Sequence, residues 1–425
     1  MKLKIDYSRL VNLAKKYQTP CYVYDKTEIL TNYDLYKQSF AKYNNKFLIC
    51  YAVKASSNLA ILNILAKNDS GFDIVSLGEL KRVLKAGGNA SKIVFSGVGK
   101  QDFEIKEALD ANILCFNIES EAELILINNI AKQLNKKAPI SIRINPNIDA
   151  KSHPYISTGL KEHKFGIDIS NAEYIYNLAN DLSNIIIQGI DCHIGSQLTD
   201  IKPLEQACIA VANLTNQLNK NKNINISHIN MGGGLGINYN HVDLKDSENF
   251  PGPKLWIDTI FKNLNPDNNT TILIEPGRSI IGSAGILLTT VIYNKFDLPS
   301  NNNFTIVDAG MNDLLRPALY GAKHEVINLS DITVNAANFN SIPTLVSIAG
   351  PVCESSDVFA KKINLVSKPG DILAILDAGA YGFSMSSNYN SRPNVPEILF
   401  DNTNDYLIRK RQTIEDLYAN ETIIH

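Results

Sequence analysis

Lys54 closes the apolar run of FLICYAVKAS, an ammonium at the end of a segment that is hydrophobic on both faces. Two readings are open for it. It is either a solvated lysine just past a strand, or an amine kept partly neutral by its surroundings and able to form a Schiff base. Gly232, Gly233 and Gly234 end the run ISHINMGGG. Successive glycines let backbone N–H groups point one way with no Cβ in the path, which makes an anion nest. A tight turn explains them equally well, and the GK[ST] ending of a nucleotide loop is missing. Glu275 in LIEPGR follows an apolar strand and precedes a proline. A carboxylate at that depth needs a cationic or donor partner to stay charged. Arg278 is a local candidate, and a protonated pyridine nitrogen would also serve.

His193 in GIDCHIGS reads as a core histidine satisfied by a carbonyl or as part of a site. The seven histidines show no HxH, HExxH or Cys/His ligand spacing, so no metal is expected. Further on come Arg316 and Tyr320 in LLRPALYG, Cys353 and Glu354 in AGPVCESSD, and Tyr381 in DAGAYGFSMSSNYN. A surface arginine, a buried cysteine and a core tyrosine are the ordinary readings. Cys353 departs from its own, because it lies in a Gly-Pro-led loop and is followed by glutamate, which favours reactivity.

Eight apolar runs must position these groups: 47–55, 72–76, 92–97, 113–120, 139–146, 185–195, 226–234 and 271–277. They are apolar throughout rather than alternating, as expected of parallel strands covered on both faces. Between them, segments such as GELKRVLKAGG and EAELILINNIAKQLN repeat apolar residues at three and four. Eight strand–helix units over roughly 230 residues predict a (β/α)8 TIM-like barrel across 30–280, with an open doubly wound sheet as the competing architecture. In such a barrel Lys54, Asp73, His193, Ser196, the three glycines and Glu275 would gather at the mouth where strands end. After about residue 280 the texture turns β-rich with polar turns. A second, β-rich domain of sandwich or barrel-like type is predicted over 281–425. The strand-like TPCYVYDK would make that domain discontinuous by adding 1–29.

Composition excludes several classes. The 425 residues are 44% hydrophobic and 20% charged with a net charge of −2, so no basic field attracts nucleic acid. No apolar run approaches the roughly 20 residues that span a bilayer. The start MKLKIDYSRL carries charges where a signal peptide needs an apolar stretch. The six cysteines form no CxxC pair. Reduced thiols and a cytoplasmic location are expected.

Taken together, YAVKAS, FDIVSLGEL, RINPN, KFGI, HIGSQ, NMGGGLG, EPGRSI, MNDLLRPALY, GPVCESSD and GAYGFSMSSNYNSRP run in order across nearly the whole chain. With them the sequence resembles the diaminopimelate decarboxylases, within the barrel-type pyridoxal 5′-phosphate decarboxylases that include the ornithine and arginine enzymes. The resemblance implies a barrel plus a C-terminal β-domain, and a homodimer with shared active sites. It implies that Lys54 holds the cofactor covalently and that Glu275 pairs with its pyridine nitrogen. His193 would stack on the ring, with Asp73 beside the cofactor. Gly232, Gly233, Gly234 and Ser196, with the Pro276–Gly277–Arg278 backbone, would hold the phosphate. Arg278, Arg316 and Tyr320 would bind the substrate's distal carboxylate, and Glu354 its distal ammonium. Tyr381 would touch cofactor and substrate. Cys353 would come from the partner subunit and return a proton to Cα.

The implied reaction turns meso-2,6-diaminopimelate into L-lysine and CO2. Decarboxylases of ornithine, arginine or a carboxy-polyamine are the near alternatives, and glutamate rather than aspartate after Cys353 argues against the ornithine type. A non-catalytic cofactor-binding regulator would tend to lack Lys54 or Cys353. A related racemase would place a tyrosine opposite the lysine, and a metal-dependent hydrolase lacks ligands.

Overall fold

The eight apolar runs fold as eight parallel strands that close on themselves. The structure, a computed structural model, describes residues 6–149, 164–220, 224–239, 250–296, 302–330 and 344–424. Residues 1–5 of the charged opening run therefore lie outside the described residues. The chain divides into two compact units, Leu30–Ile237 with Phe250–Ile280, and Met1–Ile29 with Asn238–Asn249 and Ile281–His425.

β1 (Cys21–Asp25) is first in the chain and belongs to the second of these units. The barrel runs through β2 (Phe47–Ala52), β3 (Gly71–Ile74), β4 (Ile93–Phe95), β5 (Cys115–Ile118) and β6 (Ala138–Asn145). The two-residue β7 (Ile167–Asp168) only extends β6 sideways. β8 (Ile185–Asp191), β9 (His228–Asn230) and β10 (Thr271–Ile274) complete it. Parallel pairing of β5 with β6, β6 with β8 and β10 with β2 closes the ring. The barrel expectation is borne out, and the open doubly wound sheet is not. Cys50, Val94, Cys115 and Leu273 pack together as one apolar cluster.

Some of the crossover helices begin at capping side chains. Ser76 accepts from Glu79 N ahead of Leu77–Lys85, and Ser120 accepts from Glu123 N ahead of Glu121–Gln133. Such caps satisfy N–H groups that the first helical turn leaves open.

Each strand stops sooner than its apolar run. The first run extends to Ala55, but the ladder ends at Ala52, whose N–H donates to Pro276 O at 3.1 Å. Val53–Ala55 then form one 3-10 turn that carries Lys54. A Cβ on Gly277 would lie 3.0 Å from both Ala52 Cβ and Ala55 Cβ, so the absence of a side chain there lets that turn pack. His193, Ser196, the glycines and Glu275 likewise lie just beyond β8, β9 and β10 rather than within them.

The other unit is a nine-stranded mixed sheet. It contains β11 (Gly285–Lys295), β12 (Phe304–Val307), β13 (Val326–Asn328), β14 (Thr344–Ala349), β15 (Val358–Leu365), β16 (Ile372–Ile375), β17 (Glu397–Phe400) and β18 (Asp405–Arg409). β1 lies between β11, antiparallel to it, and β17, parallel to it. The N-terminal strand thus joins the β-rich sheet. Helix Tyr7–Tyr17 lays Leu10, Leu13 and Ala14 on Cys21, Val23, Ile286, Leu288 and Ile398. The i, i+3, i+4 spacing of those three residues makes the apolar stripe that packs there.

Candidate active site

Lys54 Nζ donates to Asp73 Oδ2 at 2.6 Å. Asp73 is fully buried in β3, and its Oδ1 has no hydrogen-bond partner among the described residues. The reading of Lys54 as a merely solvated lysine therefore fails: its ammonium meets a buried carboxylate.

Glu275 is buried just past β10, and its Oε1 accepts from Asn230 Nδ2 at 2.6 Å and from Asn117 Nδ2 at 3.4 Å. Burial pushes its carboxyl well above the usual range, and the nearby carboxylates of Asp73 and Asp191 add to the rise. Lys54 and the bond from Asn230 oppose it. Arg278, read from sequence as its local partner, instead donates through Nη2 to Ser196 Oγ at 3.0 Å. Burial also holds the His193 imidazole well below its usual range, reinforced by Arg143 and Lys54, so the ring is neutral.

The glycine loop sits against Glu275 and the turn after β8. Gly232 and Gly234 have φ of 63° and 109°, conformations that favour glycine. A Cβ on Gly234 would fall 2.6 Å from Gly195 O. Gly232 N donates to Asn230 Oδ1 at 3.0 Å, and Gly232 O accepts from Glu275 N at 2.7 Å. Among the described residues, Gly233 N and Gly234 N have no hydrogen-bond acceptor. Of the three glycines, these two carry the donors that an anion could take.

A polar layer inside the barrel supports this end. Arg143 Nη1 donates to Glu119 Oε1 at 2.8 Å, and its Nε is 3.8 Å from Asp191 Oδ2. Asp191 is pushed up to about 7 by burial, against the pull of Arg143. Lys100 Nζ donates to Glu123 Oε1 at 2.6 Å and to Asn117 O at 2.8 Å. Asn117 in turn donates to Ser96 Oγ at 3.0 Å. Sequence reasoning missed Asn117, Arg143, Asp191 and Asn230. Each is a polar residue inside a mostly apolar strand run, and that was the available signal.

These residues fit a pyridoxal group. A buried carboxyl surrounded by other carboxylates favours an arriving cation, such as a protonated ring nitrogen. Two open N–H groups on a loop without side chains favour a phosphate. A lysine nitrogen lies in the same layer. Among the described residues no group of His, Cys, Asp and Glu could hold a metal ion.

The remaining candidates lie in the other unit. Arg316 is buried, donates through Nη1 to His324 Nε2 at 2.8 Å, and lies 4.7 Å from the centroid of the Tyr239 ring. Since arginine can only donate, His324 Nε2 is an acceptor and its Nδ1–H donates to Leu376 O at 2.7 Å. That tautomer is neutral. Tyr320 ends the same short helix, Arg316–Tyr320. Cys353 and Glu354 are exposed on the loop after β14, and Glu354 Oε1 accepts from Tyr389 Oη at 2.6 Å. Asp357 pins that loop by accepting from Val352 N and Met311 N, each at 2.7 Å. Tyr381 has φ of 57°, an uncommon left-handed conformation for an aromatic residue. The other five cysteines are buried, and all six are free.

Residues 26–282 match the family described as "Pyridoxal-dependent decarboxylase, pyridoxal binding domain". The chain is similar to the diaminopimelate decarboxylase of Vibrio cholerae, 46% identical over 98% of this chain and 95% of that one. Among solved structures it is similar to diaminopimelate decarboxylase from Helicobacter pylori complexed with L-lysine, 44% identical with a TM-score of 0.88, covering 98% and 99% of the two chains. It is also similar to the M. jannaschii enzyme in co-complex with L-lysine, 39% identical with a TM-score of 0.89, covering 98% and 94%.

Proposed function

Because the chain belongs to the pyridoxal-dependent decarboxylases and, among them, to the diaminopimelate decarboxylases, we propose that it converts meso-2,6-diaminopimelate to L-lysine and CO2. The observation that carries this is the buried layer at the strand ends, where Lys54 meets Asp73 near the buried Glu275 carboxyl. The cofactor is pyridoxal 5′-phosphate, which when bound supplies a conjugated pyridinium able to accept the electron pair that CO2 leaves behind.

The protein's own groups then have distinct tasks. Lys54 would hold the cofactor through its side-chain nitrogen. Glu275 holds the ring nitrogen protonated, since a cation there relieves the crowding of carboxylates. Gly233 N, Gly234 N, Ser196 and the backbone of Pro276, Gly277 and Arg278 bind the phosphate. His193, neutral, would line the cofactor site and help exclude water from it.

Arg278, Arg316 and Tyr320 receive the distal carboxylate, Glu354 the distal ammonium, and Tyr381 reaches both cofactor and substrate. The Cys353 thiol delivers the proton to Cα. The exposure of Cys353 in the single chain supports a homodimer whose partner's site it completes. No helix among the described residues is long and apolar enough to cross a membrane, and a cytoplasmic location fits that finding.

A substrate panel tests the reading. Ornithine has no distal carboxylate for Arg278 and Arg316 to receive, so its kcat/KM is expected to be about 10⁴-fold lower than that of diaminopimelate. Turnover of ornithine above that of diaminopimelate would overturn the assignment.

A further inference from the structure

Asn230, the last residue of β9, is fully buried, and both ends of its carboxamide are used. Nδ2 donates to Glu275 Oε1 at 2.6 Å, while Oδ1 accepts from Gly232 N at 3.0 Å. Its backbone carbonyl accepts from Cys192 N at 2.9 Å, which ties it to the turn that carries His193. One side chain thus touches the carboxyl assigned to the ring nitrogen and the first glycine of the loop assigned to the phosphate.

We propose that Asn230 is a positioning residue that registers the two ends of the cofactor site to each other. Its amide nitrogen fixes the Glu275 carboxyl, and its amide oxygen fixes the turn that leaves Gly233 N and Gly234 N open. The inference rests on the reading above, in which Glu275 and this loop hold pyridoxal phosphate.

The residue type follows from the two contacts. A carboxamide presents a donor and an acceptor in one plane, so it can serve a carboxyl and an N–H together. Aspartate has the same shape and could still accept from Gly232 N. Toward Glu275 it would set carboxyl against carboxyl at hydrogen-bond distance, and the pair would keep a proton between them. Leucine preserves volume and makes neither bond. Asn117 cannot take over: it reaches the same Oε1 only at 3.4 Å and gives its shorter bond to Ser96 Oγ.

Purified parent, Asn230→Asp and Asn230→Leu proteins are compared for cofactor affinity by equilibrium dialysis, for the absorbance of bound cofactor against pH, and for unfolding of the cofactor-free form. Both variants are expected to bind cofactor about ten- to hundredfold more weakly, the size of one charge-assisted hydrogen bond. Only Asn230→Asp should also displace the absorbance titration, by about one pH unit or more, since only it adds a titrating neighbour. For both, kcat falls while KM for diaminopimelate stays within about threefold of the parent.

A purely structural role would lower the unfolding temperature and leave affinity and titration alone. Cofactor affinity within twofold of the parent together with an unshifted titration overturns the proposal. Should the leucine protein fail to fold, the isosteric aspartate protein decides by its titration. If the parent itself neither binds pyridoxal phosphate nor releases CO2, the functional reading fails instead, and the two failures are told apart.

Discussion

Gly234→Ala should damage the glycine loop, which we propose binds the phosphate, for two separable reasons. The backbone there has φ of 109°, a region costing an L residue about 1–3 kcal/mol. An added Cβ would lie 2.6 Å from Gly195 O and 2.9 Å from Leu198 Cδ1. Ordinary contact needs about 0.8 Å more room than the carbonyl leaves, and forcing it costs about 1–3 kcal/mol more. The nearer neighbour is a backbone carbonyl rather than a flexible side-chain end, and Leu198 N donates to Gly234 O at 2.8 Å, which holds the two loops together. The expected loss is therefore about 2–6 kcal/mol.

Two controls isolate the contributions. Gly321 has φ of 61° with nothing within 4 Å of its would-be Cβ, so alanine there should cost only the conformational part, about 1–2 kcal/mol. Gly99 has neither constraint, and alanine there should be neutral or stabilising by up to about 1 kcal/mol. Urea unfolding of the three cofactor-free variants, with cofactor affinity beside it, gives the ranking. If Gly234→Ala were no worse than Gly321→Ala and bound cofactor like the parent, the account of this loop as a close-packed anion cradle would be wrong.

Lys54→Ala should abolish turnover and also destabilise the cofactor-free protein by about 2–3 kcal/mol, because Asp73 is left buried without its cation. Lys54→Ala with Asp73→Asn should recover the stability but none of the turnover, as thermal unfolding and CO2 release would report. His228 is held down to about 4 by burial alone. A histidine depressed in the folded state contributes stability above its unfolded value near 6.5, and that contribution is lost as pH falls toward 4. His228→Gln should accordingly flatten the acid side of the stability curve between those limits by up to about 3 kcal/mol in urea titrations. His324→Ala removes the acceptor that fixes Arg316, and should raise KM for diaminopimelate about ten- to hundredfold while the bound-cofactor absorbance stays unchanged.

The barrel was legible because parallel strands covered on both faces leave uninterrupted apolar runs, as FLICYAVKA and IIIQGIDCHIG do. Their ends were not. Apolarity reports burial, whereas a strand ends where its neighbour stops offering partners, and Pro276 has no N–H to offer beyond Ala52. The reactive types Lys54, Glu275 and Cys353 stood out because each is out of place in its surroundings. Asn230 and Asn117 did not, since one amide in an apolar strand carries no meaning until its partner is known. Glu275 lies 45 residues from Asn230 and 158 from Asn117, distances no local pattern spans.

The position of β1 governs how this protein can be made. Cys21–Asp25 leaves the ribosome well before Glu397–Phe400, one of its two neighbours in the sheet. Throughout synthesis that early strand has an open edge, and contacts of such long sequence separation are slow to form. A message or product cut short before residue 397 would therefore leave an unpaired β edge exposed, and such chains are the ones to aggregate or to need a chaperone.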